Sequence, residues 1–484
     1  MNLKNAVAKR LFSLNFYKNL RLPLGEMSFT KDFVNETRGD IYPIIEKSND
    51  TVETVCDNTY RVVGNCRRLI GRHLPYVSYE MTFTALSGKG GFDLSTPDGN
   101  AFVAMGNECG KIFLEFCEDE KVLRHDTQIS FEAGISLVLT TRRDKIDCYI
   151  KKGNAFSYIR TFEAKCLEKA AHTKILENST SRVAFAGDVT VSYVGFYVDC
   201  GISQADIRPI RYENGEIMVE NGKVFLTLSI RMQEECFQGI FAWIPGTMDF
   251  SFAGALFYDA GDGIWGNDVA ASMMYDRNEK VWKLWVCSFC HNHILGHACF
   301  DGDVRFGVNV LDITLMPENE KDGDITAFLG IDGDEDPDFI YDEKSGKWYM
   351  SICRCLQEND GRHYRYFFYE SDNAFEGYKF MGRTDCGGAE TGGSLLKIDG
   401  KYLFVCGSSF DARAEYRIYD LFDLKHFTKM KFDYDDGGFR GWGSIIPIKA
   451  GNRTRYYHLT FDRSGGSDYT WSYGNIYCFE LQEN

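Results

Sequence analysis

The sequence has few basic residues for its length, and this limits the partners that it can bind. Its 484 residues include 54 Lys and Arg against 70 Asp and Glu, which gives a formal net charge of -16 at pH 7. A chain with this excess of acid is repelled by nucleic-acid backbones and by anionic membrane surfaces. We therefore exclude nucleic acid and membranes as partners.

Proline is also scarce, and long apolar runs are missing. There are 9 Pro but 47 Gly, and aromatic residues make up 15% of the chain, proportions that favour strands joined by tight turns. No segment reaches the roughly 18 to 20 unbroken apolar residues of a membrane helix. The N-terminal segment is residues 1–24, and in residues 1–19 the apolar positions recur at helical spacing, without the continuous core of a secretory signal. The sequence predicts a soluble, almost all-β protein.

Cysteine is present but does not form a framework. The 16 Cys are scattered singly, and Cys287, Cys353 and Cys406 lie inside apolar, strand-like runs. The close pairs Cys353/Cys355 and Cys287/Cys290 lack the second pair of ligands that a zinc site needs. We interpret these thiols as buried small hydrophobes in a reducing compartment, which predicts a cytoplasmic protein.

Residues 25–207 alternate apolar and polar positions in short runs separated by Gly, Asp and Asn turns. The runs are 79–85, 111–117, 134–141, 145–150 and 189–198. Period-two strands at this spacing predict two packed antiparallel sheets. The order of runs resembles the laminin-G or concanavalin-like jelly roll. The resemblance implies a β-sandwich that either binds carbohydrate or packs beside a catalytic domain, and the sequence favours the second.

A repeat occupies residues 208–484. A turn, a basic residue and an aromatic-rich strand recur five times, with Lys223, Val281, Lys347, Lys401 and Arg455 as matching points and intervals of 58, 66, 54 and 54 residues. Repeats of this length that hide each other's apolar faces predict a β-propeller of five blades. A solenoid is the alternative, but solenoids use shorter repeats and need end caps.

A short strand precedes each of the last four copies, and in three of them an acidic residue stands at its start. Asp268, Asp336 and Glu390 stand 14, 12 and 12 residues before the aromatic residue that opens the next strand. In a propeller this position lies where the innermost strands begin, so the three carboxyl groups are expected to meet at the mouth of the channel. Carboxyl groups that meet have separated pKa values, as acid–base catalysis requires.

Two tracts carry a family resemblance. DEDPDFIYDEKSGKWYM (334–350) and AETGGSLLKIDGKYLF (389–404) resemble blade openings of the five-bladed propeller glycoside hydrolases, the clan of family 43 and its relatives. The resemblance implies an inverting enzyme with Asp268 as general base, Asp336 as modulator and Glu390 as general acid. The Trp-Met-Asn-Asp-Pro-Asn-Gly motif of the fructosidases is absent, so the clan is indicated and the family stays open.

Other residues compete for these roles. Glu335, Asp262 or Glu213 could replace Asp268 as base. The segment 291–297 contains three His, and His291 and His293 would share one face of a strand. With an acidic oxygen ligand they could hold a divalent cation such as calcium or zinc in the channel, although the main prediction includes no cofactor.

Candidate substrate-binding residues are arginines and tryptophans near the predicted mouth. A guanidinium suits carboxylate, sulfate or vicinal hydroxyl groups, and an indole can stack on a sugar ring, although ion pairing and packing between blades are equally common uses. The candidates are Arg231, His293, Arg354, Arg440, Trp265 and Trp442, with Trp471 as a further tryptophan.

The sequence therefore predicts an exo-acting, inverting glycoside hydrolase that cleaves a small oligosaccharide in the funnel of a five-bladed propeller. Two alternatives are a metal-dependent carbohydrate hydrolase such as a deacetylase, which chelation would inactivate, and a carbohydrate-binding propeller without catalysis. The sugar, the linkage and the oligomeric state stay open, with a homo-oligomer as one option.

Overall fold

The computed structural model shows a protein built almost entirely of strands. It describes residues 3, 6–26, 49–56, 58–171, 178–264, 268–316, 333–358, 361–385, 390–408, 415–432, 439–462 and 474–483. Apart from two short 3-10 helices, Lys165–Ala171 and Phe289–His291, the regular elements of these residues are strands. No helix in these ranges is long and apolar enough to cross a bilayer.

The first strand is β1 (Ala6–Leu14), and eleven further strands precede residue 200. They are β2 (Arg21–Glu26), β3 (Asn49–Cys56), β4 (Thr59–Gly71), β5 (Ser78–Thr96), β6 (Gly99–Glu108), β7 (Lys111–Glu118), β8 (Lys121–Ser130), β9 (Ile135–Thr141), β10 (Lys145–Lys152), β11 (Ala155–Glu163) and β12 (Thr180–Asp199). The chain divides into two compact units, Arg21–Asp199 and the combination of Met1–Leu20 with Cys200–Asn484.

The unit Arg21–Asp199 is one hydrogen-bonded network of β2 to β12. The two longest strands, β5 and β12, pair antiparallel along almost their whole length. The other edge of β5 pairs with β9 through its first residues and with β6 through its last residues. The long strands thus join two groups of shorter strands into one network, and the jelly-roll sandwich stays a prediction.

The remaining strands form four-stranded or larger sheets. They are β13 (Ser203–Pro209), β14 (Arg211–Tyr212), β15 (Val219–Glu220), β16 (Lys223–Arg231), β17 (Cys236–Trp243), β18 (Phe250–Asp259), β19 (Asp268–Asp276), β20 (Val281–Ser288), β21 (Ile294–Phe300), β22 (Gly307–Asp312), β23 (Thr314–Leu315), β24 (Asp334–Asp342), β25 (Lys347–Glu358), β26 (Gly361–Ser371), β27 (Lys379–Arg383), β28 (Glu390–Ile398), β29 (Lys401–Ser408), β30 (Glu415–Asp420), β31 (Asp423–Lys431), β32 (Phe439–Ala450), β33 (Arg453–Asp462) and β34 (Ile476–Glu483).

These strands make five blades of a propeller. Their cores are β13-β16-β17-β18, β19-β20-β21, β24-β25-β26-β27, β28-β29-β30-β31 and β32-β33-β34-β1. The innermost strands contact one another in a closed ring, β13 with β19, β19 with β24, β24 with β28, β28 with β32 and β32 with β13. The predicted five-bladed propeller is therefore confirmed, and the strands β16, β20, β25, β29 and β33 are the five predicted repeat copies.

Side chains from facing blades fill the space between the sheets. One hydrophobic cluster joins the first and second blades, a second joins the second and third, and the next two continue the series. Buried pairs that represent them are Leu256 with Leu284, Trp285 with Phe339, Tyr366 with Phe404 and Ile418 with Phe479. Each blade thus covers the apolar face of the next, as expected for a propeller.

The N-terminal residues are a strand and not the helical pattern that their spacing suggested. β1 pairs antiparallel with β34, so the last blade contains strands from both ends of the chain. Only alternate residues at its start are buried, Ala6 and Ala8, and later residues are largely exposed. Because only the first residues of this outermost strand alternate between buried and exposed, the apolar spacing of the segment did not reveal a strand.

The predicted domain bounds stay a prediction, and two of them fall inside strands. The predicted boundary after residue 24 falls inside β2, and the boundary after residue 207 falls inside β13. β13 has little sequence signal because polar residues occupy several of its buried positions. The prediction for the thiols agrees better, since Cys287, Cys353 and Cys406 are buried in strands.

Candidate active site

A backbone irregularity aligns the inner strands residue by residue. β13, β19, β24, β28 and β32 each contain a β-bulge just after the first residues that pair with the second strand of the blade. In four of them the first bulged residue has a positive φ: Asp206 (52°), Ala270 (58°), Asp336 (50°) and Gly392 (61°). These four residues therefore occupy equivalent positions in consecutive blades.

The sequence predicted that Asp268, Asp336 and Glu390 occupy equivalent positions, and the alignment of the bulges shows that Asp336 does not. Asp268 and Glu390 stand two residues before their bulges, and the residue at that position in β24 is Asp334. Asp336 is instead equivalent to Asp206. The error arose from turn length: four residues separate β19 from β20 and β24 from β25, but only Asp399 and Gly400 separate β28 from β29.

Asp334 and Arg354 form a closed ion pair. The guanidinium of Arg354 donates from Nε to Oδ1 of Asp334 at 2.7 Å and from Nη2 to Oδ2 at 3.1 Å, while Nη1 donates to the Tyr369 hydroxyl at 3.1 Å. Both charged side chains are buried. The guanidinium donors of Arg354 point toward these partners inside the third blade. Arg354 is therefore a structural residue and does not bind substrate as the sequence suggested.

Glu390 is fully buried at the start of the fourth blade. The hydroxyl of Tyr419 donates to its Oε1, and Nη1 of Arg417 lies 3.8 Å from the same oxygen. Within the described part of the chain, its Oε2 has no hydrogen-bond partner although it is buried. A buried carboxyl oxygen without a partner is costly, so this atom is suited either to hold a proton or to meet a ligand.

Asp336 contacts the strand that carries Glu390. Its Oδ2 accepts hydrogen bonds from the Tyr366 hydroxyl at 3.3 Å, Thr391 Oγ1 at 3.4 Å and the Gly392 amide at 3.2 Å, so it touches the two residues that follow Glu390. Burial, and then the nearby charge of Asp206, raise the pKa of Asp336 to about 6 against the opposing effect of Arg208. Asp336 thus titrates near neutrality.

Asp268 begins the second blade and is buried. Its Oδ1 accepts a hydrogen bond from the Ser288 hydroxyl at 2.9 Å and another from the Cys290 amide at 3.2 Å. Burial together with Glu335, Asp336, Asp268 and Asp334 raises the pKa of the Cys287 thiol well above its ordinary value. Carboxyl groups from the second and third blades therefore surround this one thiol.

Two arginines that sequence reasoning missed fill the centre of the ring. Arg208, from β13, donates to the carbonyl oxygens of Ala270 at 3.4 Å, Gly393 at 3.2 Å and Pro337. It thereby contacts the bulges of three other blades, and its Nη2 lies 3.8 Å from Oδ1 of Asp336. In the sequence, Arg208 is marked only by its position directly after the predicted domain boundary at residue 207.

Arg211 lies one layer further along the axis. It donates to Asp338, to the Leu395 carbonyl and, at 3.1 Å, to the Phe339 carbonyl. Although burial alone acts to raise it, Arg211 and Arg208 hold the pKa of Asp338 below its ordinary value. Asp338 is therefore an ionised structural residue, and the axial arginines form a polar floor beneath the carboxyl groups of the mouth.

The other predicted binding residues divide into those that the structure places and those that it does not describe. Arg231 is buried and donates to Asp206 at 3.1 Å. Trp442 is buried between the fourth and fifth blades, against Gly392 and Phe461, which is the packing use of a propeller tryptophan. Trp265, Trp471 and the side chain of Arg440 lie outside the described residues.

The histidine segment does not present a shared face. His291 ends a 3-10 helix, with Nδ1 at 2.8 Å from Ser288 and Nε2 at 3.1 Å from Asp262. His293 stacks on Phe289, and its Nδ1 lies 3.4 Å from Glu335. No group of three or more His, Cys, Asp or Glu in the described ranges is arranged to hold a metal ion. A divalent cation stays an untested alternative.

The three residues suggested as alternative bases lie at different places in the propeller. Asp262 and Glu335 lie near the mouth, paired with His291 and His293. Glu213 bonds to Arg277, which follows the far end of β19. Glu213 is therefore at the opposite face of the propeller and cannot replace Asp268.

Comparison with known proteins finds similarity at the level of structure only. No family model matches the sequence, and no curated protein matches it. Solved structures that are similar to this one are glycoside hydrolases of the five-bladed propeller class named above.

Three of them show the extent of the similarity. An α-L-arabinofuranosidase from Podospora anserina in complex with cellotriose is 13% identical, with 59% of this chain and 92% of that chain covered and a TM-score of 0.39. An α-L-arabinanase from Penicillium chrysogenum complexed with arabinobiose is 8% identical, covering 72% and 90%, at 0.36. A family 43 β-1,3-galactosidase with galactodeoxynojirimycin is 11% identical, covering 55% and 90%, at 0.36. These values are too low to transfer an activity, so function rests on the geometry of the site.

Proposed function

We propose that this chain is an exo-acting, inverting glycoside hydrolase that cleaves a small oligosaccharide at the mouth of its propeller. Asp268 is the proposed general base, Glu390 the general acid and Asp336 the modulator. The observation that supports the proposal best is that these carboxyl groups come from the starts of three consecutive inner strands and are held in three different environments. Acid–base catalysis uses carboxyl groups whose surroundings differ.

Glu390 has the surroundings of a proton donor. Oε1 is engaged by Tyr419, whereas Oε2 is buried and has no partner among the described residues. A proton on Oε2 would have no competing acceptor before substrate arrives. In the proposed reaction this proton passes to the glycosidic oxygen as the bond between that oxygen and the anomeric carbon breaks.

Asp268 has the surroundings of a proton acceptor. Donors from Ser288 and Cys290 point at its Oδ1, and hydrogen bonds to the ionised form favour that form. As an ionised base, Asp268 takes a proton from water while the water oxygen bonds to the anomeric carbon. Asp336, two residues past the equivalent position and in contact with Thr391 and Gly392, is placed to orient the strand that carries Glu390.

The activity test compares wild type with Glu390→Gln. A panel of plant and host oligosaccharides and of aryl glycosides with good and poor leaving groups provides the substrates. We expect the variant to lose roughly 10²- to 10⁴-fold in kcat on oligosaccharides, because their leaving group needs protonation. Glycosides with an acidic phenol should lose much less, since that leaving group departs unprotonated.

The matched control is Glu279→Gln. Glu279 is an exposed glutamate beyond the far end of β19, bonded to Lys283, so its loss should not change kcat. If the parent cleaves a substrate and Glu390→Gln cleaves it equally fast, the acid assignment is wrong. Proton NMR of the first-formed sugar reports the anomer, and retention of configuration would contradict inversion.

The same assay separates the alternatives. Loss of cleavage on chelation would favour a metal-dependent carbohydrate hydrolase, and saturable sugar binding without cleavage would favour a carbohydrate-binding propeller. The cytoplasmic location, the β-sandwich of residues 25–207 as a packing partner that does not bind carbohydrate, and a homo-oligomer stay predictions.

A further inference from the structure

Four polar side chains form a hydrogen-bonded chain that runs from the proposed base to the surface. Ser288 donates from Oγ to Oδ1 of Asp268 at 2.9 Å, and the same Oγ lies 2.8 Å from Nδ1 of His291. Nε2 of His291 lies 3.1 Å from Oδ2 of Asp262. The Asp268 and Ser288 side chains are buried, His291 is partly buried, and the Asp262 side chain is 42% exposed.

Three hydrogen bonds need three protons, and the neutral imidazole and the serine hydroxyl supply only two. Since both carboxylates accept, all three contacts are hydrogen bonds only when a third proton lies among these four side chains. If Ser288 donates to Asp268, both ring nitrogens of His291 must donate, one to Ser288 and one to Asp262. If instead the proton is on Asp268, the bonds between Asp268, Ser288 and Nδ1 reverse. The geometry thus defines two states that differ in the position of one proton.

We propose that His291, held between Ser288 and Asp262, shares this proton with Asp268 and keeps Asp268 ionised as the general base. His291 is a positioning residue in this proposal, because it acts through Ser288 and does not touch the substrate. The proposal deepens the proposed function and rests on it for its catalytic meaning, although the shared proton itself can be detected without any substrate.

The proton transfer is balanced within these hydrogen-bonded side chains. A proton on Oδ1 of Asp268 passes to Oγ of Ser288 as the hydroxyl proton of Ser288 passes to Nδ1 of His291. One O–H bond breaks at Asp268, the serine exchanges one O–H bond for another, and one N–H bond forms at His291. The imidazolium that results lies between the Asp262 carboxylate and the Asp268–Ser288 hydrogen bond, where opposite charge stabilises it.

The surroundings of Asp262 favour its ionised form, which can stabilise a charged His291. Partial burial acts to raise its pKa, but the Ile264 amide and His291 together lower it below its ordinary value. Asp262 therefore stays an anion beside His291. Other ionisable groups surround Asp268 from the neighbouring strands. They are Tyr258, Cys236 and Cys287, whose raised pKa values keep them neutral, and the carboxyl groups of Asp206, Asp334, Glu335 and Asp336, with Arg231 paired to Asp206.

The direct test follows the ring nitrogens of His291 by NMR in the full chain labelled at histidine, with His291→Gln identifying the signals. We expect wild type to keep His291 doubly protonated to a pH roughly one unit higher than Asp268→Asn or Ser288→Ala does. In Asp268→Asn the side chain can still accept from Ser288 and from the Cys290 amide, but it carries no negative charge. The imidazolium of His291 therefore loses a neighbouring anion, and the ring gives up its second proton at a lower pH.

His426 provides the internal control. It is paired with Asp423 at 3.0 Å, as His291 is paired with Asp262, but it has no link to Asp268. Its signals should be the same in all variants, and circular dichroism spectra that match wild type show that the variants are folded. Identical protonation of His291 in wild type, Asp268→Asn and Ser288→Ala would overturn the proposal.

A second measurement tests the catalytic meaning. In a profile of kcat/KM against pH, His291→Gln should move the acidic limb upward by roughly one unit, since Asp268 loses a neighbouring cation. His426→Gln should leave the profile in place. If no glycoside is cleaved by the parent, the proposed function fails, whereas the NMR result still decides whether the proton is shared.

Discussion

A single residue of the site, Asp336, combines an unusual backbone with an unusual charge. Its φ of 50° lies in the left-handed region, which Asp and Asn enter more readily than most residues, and Pro337 follows it. Its carboxyl group is buried and its pKa is raised from 3.8 to about 6. Such a position costs stability at neutral pH, and costs of this kind are found where function requires the group.

We predict that Asp336→Asn changes how stability depends on pH. The folded protein binds a proton at Asp336 more tightly than the unfolded chain does, so wild-type stability falls as pH rises from about 4 to about 6 and the full cost remains above that. The amide keeps the shape and the left-handed backbone but has no charge. Relative to wild type, its free energy of unfolding should therefore rise by on the order of 2 kcal/mol between pH 4.5 and pH 7.5.

Urea unfolding at the two pH values measures this difference. Asp372→Asn is the control, because Asp372 is exposed and its pKa is lowered by Lys347. Its curve should stay close to that of wild type at both pH values. A difference between Asp336→Asn and wild type that does not grow with pH would show that Asp336 is not held near neutrality.

At the scale of the element, the bulge of β28 depends on a residue without a side chain. Gly392 has a φ of 61°, and a Cβ there would lie 2.4 Å from Cβ of Trp442. Gly400, in the turn between β28 and β29, has a φ of 76° but no atom within 4 Å of such a Cβ. The two glycines thus share the backbone requirement and differ only in crowding.

We predict that Gly392→Ala destabilises the propeller more than Gly400→Ala does. The left-handed backbone costs roughly 1 to 2 kcal/mol in each variant. The contact with Trp442 adds roughly 1 to 3 kcal/mol in Gly392→Ala only, because overpacking moves the neighbouring blade. Free energies of unfolding from urea titration check the difference, and equal costs would mean that the fourth and fifth blades are not packed at this bulge.

The strands that the sequence predicted well are those with two buried faces. The second strands of the blades, such as β20 and β25, carry aromatic runs after a turn, so their repeat was visible along the chain. β13 and β1 were missed, since β13 has buried polar residues and β1 is half exposed. Burial by neighbouring blades determines these strands, and their own residue pattern does not reveal it.

The sequence predicted the equivalence of the acids only in part, and their meeting at one site stays a prediction. The repeat placed acids at the starts of inner strands, and Asp268 and Glu390 are at equivalent positions. The bulges and the short turn before β29 shift Asp336 away from them, and neither leaves a clear signal in one sequence. Arg208 and His291 contact residues that are distant along the chain, such as Gly393 and Asp262. Composition and spacing could therefore not reveal these contacts.

At the scale of the whole molecule, the propeller is closed by its N-terminus. β1 supplies the outermost strand of the last blade and covers β34, from Ala6 opposite Glu483 to Leu14 opposite Ile476. Ala8 is fully buried in the cluster that joins the fourth and fifth blades. A ring that holds both chain ends in one blade hides the edge of β34, and this resists opening at the last blade.

We therefore predict that a charge on the inner side of β1 weakens the whole ring. Ala8→Glu should lower the free energy of unfolding by roughly 3 kcal/mol or more, because the carboxyl group is buried without a partner. Leu11→Glu, on the same strand at a position that is 39% exposed, should cost less than about 1 kcal/mol. Hydrogen exchange of the β34 amides should accelerate in Ala8→Glu alone. Equal unfolding energies and equal exchange in the two variants would show that β1 does not hold the ring closed.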